Sequence, residues 1–241
     1  MKAVSRAALA ALTVTAALLA GCSSNDDKAP AAAASAAPAG NGIADLEGAA
    51  ILDKAKAALK AAKSFHVKGA ISQDESVTNL DLKISGTDVG GSIDFGGAKL
   101  ELLSVGGNRY MRPNAAFWTM MDSSGQMAKT LGSAVGTKWI KPSGQDTSLG
   151  AFFGAADVDE LLKPSGTLTK GEVKTIGGVP AIGLVDGDDK DTVLYVATTG
   201  EPYPLTMERP APEGLTFSEF GQTFAEIKEP AATDVIEMPK Q

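Results

Sequence analysis

The chain has 241 residues, a formal charge of −7 at pH 7 and an apolar fraction of 44%, which suits one globular domain. The negative charge disfavours contact with a nucleic-acid phosphate backbone and with an anionic lipid surface, so nucleic acid is not an expected partner. One cysteine, Cys22, excludes an internal disulfide. The abundance of alanine and glycine is typical of a GC-rich genome such as that of an actinobacterium.

The first 21 residues have the pattern of a secretory signal peptide. Lys2 and Arg6 form a positive start, an apolar and small-residue run follows from Ala7 to Ala20, and small residues precede Cys22. The run is roughly 14 residues long, short of the ~20 that a stable membrane-spanning helix needs. A permanent transmembrane anchor is therefore the less favoured alternative.

The tetrapeptide Leu19-Ala20-Gly21-Cys22 resembles the bacterial lipobox. The resemblance implies cleavage between Gly21 and Cys22, and attachment of acyl chains such as palmitate to Cys22. We therefore expect a lipid-anchored protein on the extracytoplasmic face of the cell membrane. The alternative is an ordinary secretory signal that an incidental cysteine follows. Loss of Lys2 and Arg6 with residues 1–21 would change the formal charge from −7 to −9, so the acyl chains would have to hold the protein on its membrane.

Residues 22–48 are predicted to be the lipidated cysteine and a disordered tether. Ile43 and Leu46 are its only bulky apolar residues, too few to offset chain entropy by burial. About 25 flexible residues have a root-mean-square length of roughly 25–30 Å, enough to lift a domain clear of the lipid headgroups. Residues 49–241 are predicted to form a single domain.

The domain is predicted to begin with an amphipathic helix from Ala49 to Lys63, since its apolar residues recur at helical spacing. The period then changes to two, which is typical of strands with one buried face. Glycine pairs that suit hairpin turns separate these strands. The predicted strand segments are residues 65–71, 80–84, 91–95, 100–105 and 108–112.

The middle of the chain is predicted to be a helical insertion. Asp122–Val135 has helical spacing, Trp139–Lys141 resembles a short strand, and Ser148–Lys163 is predicted to hold one broken helix or two short ones before Pro164. Strands then resume, giving roughly ten or eleven in the domain. These later segments are residues 167–176, 179–185, 192–198, 205–209, 215–220 and 224–229.

This order predicts an α+β fold, in which one large, curved antiparallel sheet carries helices against its concave face. The segment Val193–Leu205, VLYVATTGEPYPL, resembles the strand–turn–strand of LolA/LolB-like and LppX/LprG-like lipoproteins. Ser64–Val67, Phe217–Gly221 and the closing residues 230–239 are also similar. The resemblance implies an unclosed half-barrel with a helical lid over an apolar cavity, and an activity of carrying lipid or lipoprotein acyl chains.

We therefore expect an apolar ligand, lipid or acyl chain, that is held or transferred locally. The alternative is a module with a solid core that contacts a protein partner in the cell envelope. The residues expected to line the cavity are the inward-facing strand residues Val67, Ile71, Leu80, Leu82, Ile84, Ile93 and Phe95, and, from the insertion, Phe117, Trp118, Met120, Met121, Leu149, Phe152 and Phe153.

Catalytic and metal-binding patterns are absent from the sequence. His66 is the only histidine, which cannot form a metal site or a catalytic triad by itself. The acidic run Asp186–Asp191 lacks the ligand spacing of an EF-hand and is predicted to be a solvated hairpin turn. No nucleophile motif, phosphate loop or dinucleotide fingerprint occurs. We expect neither enzymatic activity nor a cofactor.

Overall fold

The structure is a computed structural model that describes residues 39–73, 76–142, 153 and 157–237. The predicted signal peptide, Cys22 and most of the predicted tether lie outside the described residues. Within the described ranges, no helix is long and apolar enough to cross a membrane.

Four α-helices are described: α1 Gly48–Ala62, α2 Ala115–Met121, α3 Gln126–Val135 and α4 Val158–Leu161. Helix α1 agrees with the predicted amphipathic helix to within one residue at each end, and Lys63, with φ +64°, ends it in a left-handed conformation. Its buried stripe faces the sheet. Helix α2 was not predicted as a separate element. A short 3-10 turn, Ile43–Asp45, precedes α1 inside the predicted tether.

In the described ranges, twelve strands form one sheet in the order β12-β6-β5-β4-β3-β2-β1-β11-β10-β9-β8-β7. Among the described residues β12 and β7 are its two edges, so the sheet does not close into a barrel. All neighbours are antiparallel except β12 and β6. The predicted fold class, a large curved antiparallel sheet with helices on one face, is confirmed. The strands are β1 Ser64–Gln73, β2 Ser76–Ser85, β3 Asp88–Phe95, β4 Ala98–Val105, β5 Asn108–Pro113, β6 Trp139–Lys141, β7 Leu168–Ile176, β8 Val179–Asp186, β9 Val193–Ala197, β10 Pro204–Glu208, β11 Gly214–Ser218 and β12 Val235–Glu237.

The concave face of the sheet holds the main core. Helix α1 packs on β1, β7, β9 and β10, while α2 packs on β4 and α3. Ile51 and Leu59 of α1 and Val67 and Leu82 of the sheet are almost completely buried there. Asn114 fixes the start of α2, since its Oδ1 accepts a hydrogen bond from Phe117 N–H and its Nδ2 donates one to Gly97 O.

Two glycines bend the middle of the sheet. Gly69 in β1 has φ +154° and Gly91 in β3 has φ +152°, which few other residues adopt. A Cβ on Gly69 would lie 1.9 Å from Gly214 O, and one on Gly91 would lie 2.1 Å from Asp81 O. Glycine is therefore required at both positions for the strands to come this close.

Residues 219–234, which we call the strap, cross the convex face from β11 to the far edge of the sheet. The strand predicted at 224–229 is wrong, because this stretch lies on the outside of the sheet without entering it. Gln222 O accepts a hydrogen bond from Ser64, Lys83 pairs with Glu226 at 2.5 Å, and Glu229 accepts one from Asn108. After the strap, β12 pairs in parallel with β6.

Candidate functional site

The inward-facing strand residues predicted to line a cavity lie on the concave face. Most of them are packed into the core, with exposed fractions of 0–4%. Ile71 and Phe95 are only partly buried and lie at the border of this core. The fully packed residues are Val67, Leu82, Ile84 and Ile93, while Leu80 is buried but borders an open cleft.

The predicted residues of the helical insertion are divided between interior and surface. Phe117 and Trp118 are buried on α2 with their rings edge-on, 6.2 Å between centroids. Met120 and Met121, one turn further on, are 49% and 59% exposed. Phe153 is buried, with the Arg109 guanidinium 5.1 Å from its ring centroid. Leu149, Phe152 and the lipidation residues Gly21 and Cys22 lie outside the described residues.

An open cleft of about 350 Å³ lies between residues 160–165 and the concave face of the sheet. We call it the concave cleft. Its apolar surface comes from strands β1, β2, β10 and β11, with one residue of α4 opposite them. These residues are Ile71, Leu80, Met207, Leu215 and Leu161.

Strand register explains which apolar residues of the concave cleft are neighbours. Met207 is opposite Leu215, Leu215 is opposite Gly69, and Gly69 is opposite Leu80. Gly69 contributes no side chain to this cross-strand row, so the row has a gap between Leu215 and Leu80. On the other side of Met207 the row continues through Leu194 and Leu184. There a void of about 40 Å³ adjoins the cleft and reaches Leu52 of α1.

One end of the concave cleft is polar. Asp186, at the end of β8, is only 6% exposed and accepts hydrogen bonds from the backbone N–H groups of Ser165, Gly166 and Asp188 at 2.7, 2.8 and 3.1 Å. Hydrogen bonds from three N–H groups offset the free-energy cost of burying a carboxylate. Asp186 therefore fixes the loop after α4, which forms one wall of the cleft.

We expect Asp186→Asn to lower the free energy of unfolding by about 2 kcal/mol, because an amide keeps one acceptor oxygen and turns an NH₂ group toward backbone donors. Urea denaturation followed by circular dichroism measures this. Asp188→Asn, at an exposed neighbouring position, is the matched control and should change stability by less than about 0.5 kcal/mol. Equal stability of the two variants would contradict the role given to Asp186.

Arg209 organises the rest of the polar end. Its guanidinium bonds to Asp189 at 2.8 Å, to Glu213 at 3.0 Å and to the Thr192 hydroxyl at 2.7 Å. Hydrogen bonds from Thr192 and Arg209 hold the pKa of Asp189 below its usual range, so Asp189 is ionised at neutral pH. The acidic run predicted to be a hairpin turn does connect β8 to β9, but two of its carboxylates have structural partners.

His66 faces outward on β1, as its position in the strand pattern indicates. Its Nε2 lies 2.7 Å from Asp81 Oδ1 and its Nδ1 lies 3.6 Å from Glu219 Oε2. Burial, the largest influence, raises the pKa of Asp81, but hydrogen bonds from Lys68 and His66 outweigh it and lower that pKa. Across the described ranges no group of His, Cys, Asp or Glu is arranged to hold a metal ion.

Several residues of the concave cleft were not among the predicted lining residues. Met207, Leu215 and Arg209 belong to strands that were predicted, but their alternation does not show which strands become neighbours. Leu161 was predicted only as part of a broken helix. The pairing of β1 with β11 brings these residues to Ile71 and Leu80, and that pairing joins segments about 150 positions apart in sequence.

No family model and no curated protein matches the chain. Among solved structures, the chain is similar to the crystal structure of LprF from Mycobacterium bovis, with a TM-score of 0.47 and 12% sequence identity. The alignment covers 77% of this chain and 97% of that chain. A similarity of this degree assigns no function.

Proposed function

We propose that the protein is a membrane-anchored lipoprotein whose half-barrel domain binds an apolar ligand, a lipid or an acyl chain, in the concave cleft. The observation that carries the proposal is the cleft itself, which combines an apolar surface with one polar end. Its volume of about 350 Å³ is at the lower end of the range for small-molecule pockets. Holding or local transfer of the ligand would follow from anchorage through Cys22.

The two ends of the concave cleft match the two parts of an amphiphile. Ile71, Leu80, Leu161, Met207 and Leu215 offer the surface that an acyl chain needs, and Met207 can adapt its side chain to different ligands. Burying each methylene contributes about 0.8 kcal/mol. A head group would lie at the polar end, where hydroxyls can both donate and accept hydrogen bonds.

Charge at the polar end favours a head group without negative charge. The ionisable residues that line the cleft are Glu160, Lys163, Asp186, Asp189 and Arg209, which leave it with one excess negative charge. Arg209 is already neutralised by Asp189 and Glu213. A monoacylglycerol should therefore bind more tightly than the fatty acid of the same chain length.

Native mass spectrometry of the chain that begins at Ser23 tests the proposal. We expect co-purified lipid, or saturable uptake of 1-monopalmitoylglycerol with weaker uptake of palmitate. Leu161→Trp should fill the cleft and weaken uptake at least tenfold, equivalent to about 1.4 kcal/mol. Val173→Trp adds the same ring at a position that is 64% exposed on the edge strand β7 and should leave uptake unchanged.

A domain that takes up neither lipid would refute the ligand-binding proposal. The alternative, an envelope interaction module with a solid core, would then be favoured. The close packing of Val67, Leu82, Ile84 and Ile93 supports that alternative, since these residues leave no space beside them for a ligand. Unchanged uptake by Leu161→Trp, with uptake by the parent chain intact, would place the ligand elsewhere.

A further inference from the structure

The convex face of the sheet has a groove that the function proposed above does not use. Two depressions of about 350 Å³ and about 330 Å³ share Asp81 and Ser92, so together they form one channel across the outward side of β3. We call it the convex groove. It extends over strands β1 to β6, five strand spacings or about 24 Å.

Small residues form the floor of the convex groove. The outward positions of β3 in the groove are Gly90, Ser92 and Asp94, and Gly91 lies between the first two. Over Gly90, Ile227 of the strap and Leu103 of β4 come within 3.1 and 3.7 Å of where a Cβ would be, so they close one side. Beside Ser92 the groove remains open, and a ligand could approach the backbone of the sheet there.

Charged side chains line the groove in a strict cross-strand row. Lys68 is opposite Asp81, Asp81 is opposite Ser92, Ser92 is opposite Glu101, and Glu101 is opposite Arg112. Both signs are equally represented over the whole groove, which has four cations and four carboxylates and no excess charge. A strongly charged ligand of either sign would meet as much repulsion as attraction.

The ion pairs hold donors and acceptors at set positions. Arg112 Nε donates a hydrogen bond to Glu101 Oε2 at 2.5 Å, and Arg112 Nη2 forms an ion pair with the same oxygen at 2.5 Å. Lys68 lies 2.8 Å from Asp81, and Lys83 pairs with Glu226 of the strap. Each carboxylate here is 30–54% exposed, so it can still accept a hydrogen bond from a ligand. Hydroxyl groups, which donate and accept at once, suit such alternating partners.

The aromatic side chain of Trp139 lies at the β6 end of the groove. The Arg112 guanidinium lies 4.5 Å from the ring centroid of Trp139, and both side chains line the groove and are partly exposed. A tryptophan at a partly wet surface offers an apolar face beside polar groups. The C–H face of a sugar ring has the same combination of apolar and hydroxyl surfaces.

We infer that the convex groove is a binding site for a neutral, polyhydroxylated chain, a glycan. The length of the groove suits an extended oligosaccharide, its charge balance suits a neutral one, and its small-residue floor allows a ring to approach the backbone. The site lies on the opposite side of the sheet from the concave cleft and does not depend on the function proposed for that cleft.

Nitrogen-15 NMR of the chain that begins at Ser23 tests the inference. The chain has two tryptophans, so Trp139 in the groove and the buried Trp118 give two indole signals. The probes are maltohexaose, cellohexaose, mannohexaose and chitohexaose, with a sulfated hexasaccharide as the anionic comparison. At least one neutral hexasaccharide should shift the Trp139 signal saturably and leave Trp118 unchanged.

Ser92→Phe should block the groove and weaken this binding at least tenfold, whereas Thr175→Phe, at an exposed position on β7, should not. Glu101→Gln keeps the volume but removes a charged acceptor, so it should weaken binding several-fold even if Ser92→Phe fails to fold. Three outcomes would overturn the inference: no response to any neutral hexasaccharide at millimolar concentration, a response only to the sulfated one, or full binding by folded Ser92→Phe and Glu101→Gln.

Discussion

Replacing Gly69 by alanine should strongly destabilise the protein. The added Cβ would lie 1.9 Å from the carbonyl oxygen of Gly214, closer than any non-bonded contact allows, and the φ of +154° would be strained as well. Strand β1 would have to separate from β11, which joins the two halves of the sheet. The expected loss is about 4 kcal/mol or more, a large part of the 5–15 kcal/mol that stabilises a typical domain.

Gly97→Ala is the matched control for this prediction. Gly97, in the turn between β3 and β4, also has a positive φ of +97°, but no atom lies within 4 Å of its added Cβ. The Gly97→Ala variant should therefore lose only about 1–2 kcal/mol of stability, the cost of placing alanine in a left-handed conformation. Urea denaturation of both variants gives the comparison. Equal losses of stability would mean that the close approach of Gly69 to Gly214 does not control the sheet.

Replacing Cys22 by serine should abolish acylation and processing of the chain. If the lipobox is used, the acyl chains on the Cys22 thiol hold the protein, and each buried methylene contributes about 0.8 kcal/mol. The acidic chain, at −7 before processing, has no net attraction to an anionic lipid surface that could replace them. The variant should accumulate as a full-length precursor and lose labelling by an alkyne analogue of palmitate.

Ser23→Ala, one residue beyond the predicted cleavage point, is the control and should be labelled and cleaved like the parent protein. Labelling of Cys22→Ser at the parent level would refute the lipobox.

The main elements of the fold could be predicted because their side-chain periods are strong. Helix α1 and the β1–β5 meander follow from apolar residues at helical spacing and then at every second position. Helix α2 is short and follows β5 directly. Phe117 and Trp118 therefore do not lie in an apolar pattern long enough to predict a separate helix. Residues 224–229 of the strap are predicted to be a strand because Phe224 and Ile227 are apolar. In the structure these two side chains pack on the outside of the sheet.

The candidate sites were harder to predict than the fold. Alternation shows that Leu80 and Leu82 face inward, but only strand register shows that Leu80 borders an open cleft while Leu82 is completely buried. The convex groove depends on Ser92, Glu101 and Arg112 lying in one cross-strand row, which needs the register of three strands. Register depends on turn geometry and on pairing between distant segments. Neither can be read from the periodicity of the sequence.

The position of β1 in the sheet also constrains the order of assembly. Its neighbours are β2, which follows at once, and β11, which is made about 150 residues later. While the chain is synthesised, the early meander must therefore keep an unpaired strand edge for most of that time. Open edges of this kind are prone to pair with other chains, and distant pairings form slowly. A protein of this topology should depend on rapid completion of about its last eighth, and truncation before Gly214 should lead to aggregation.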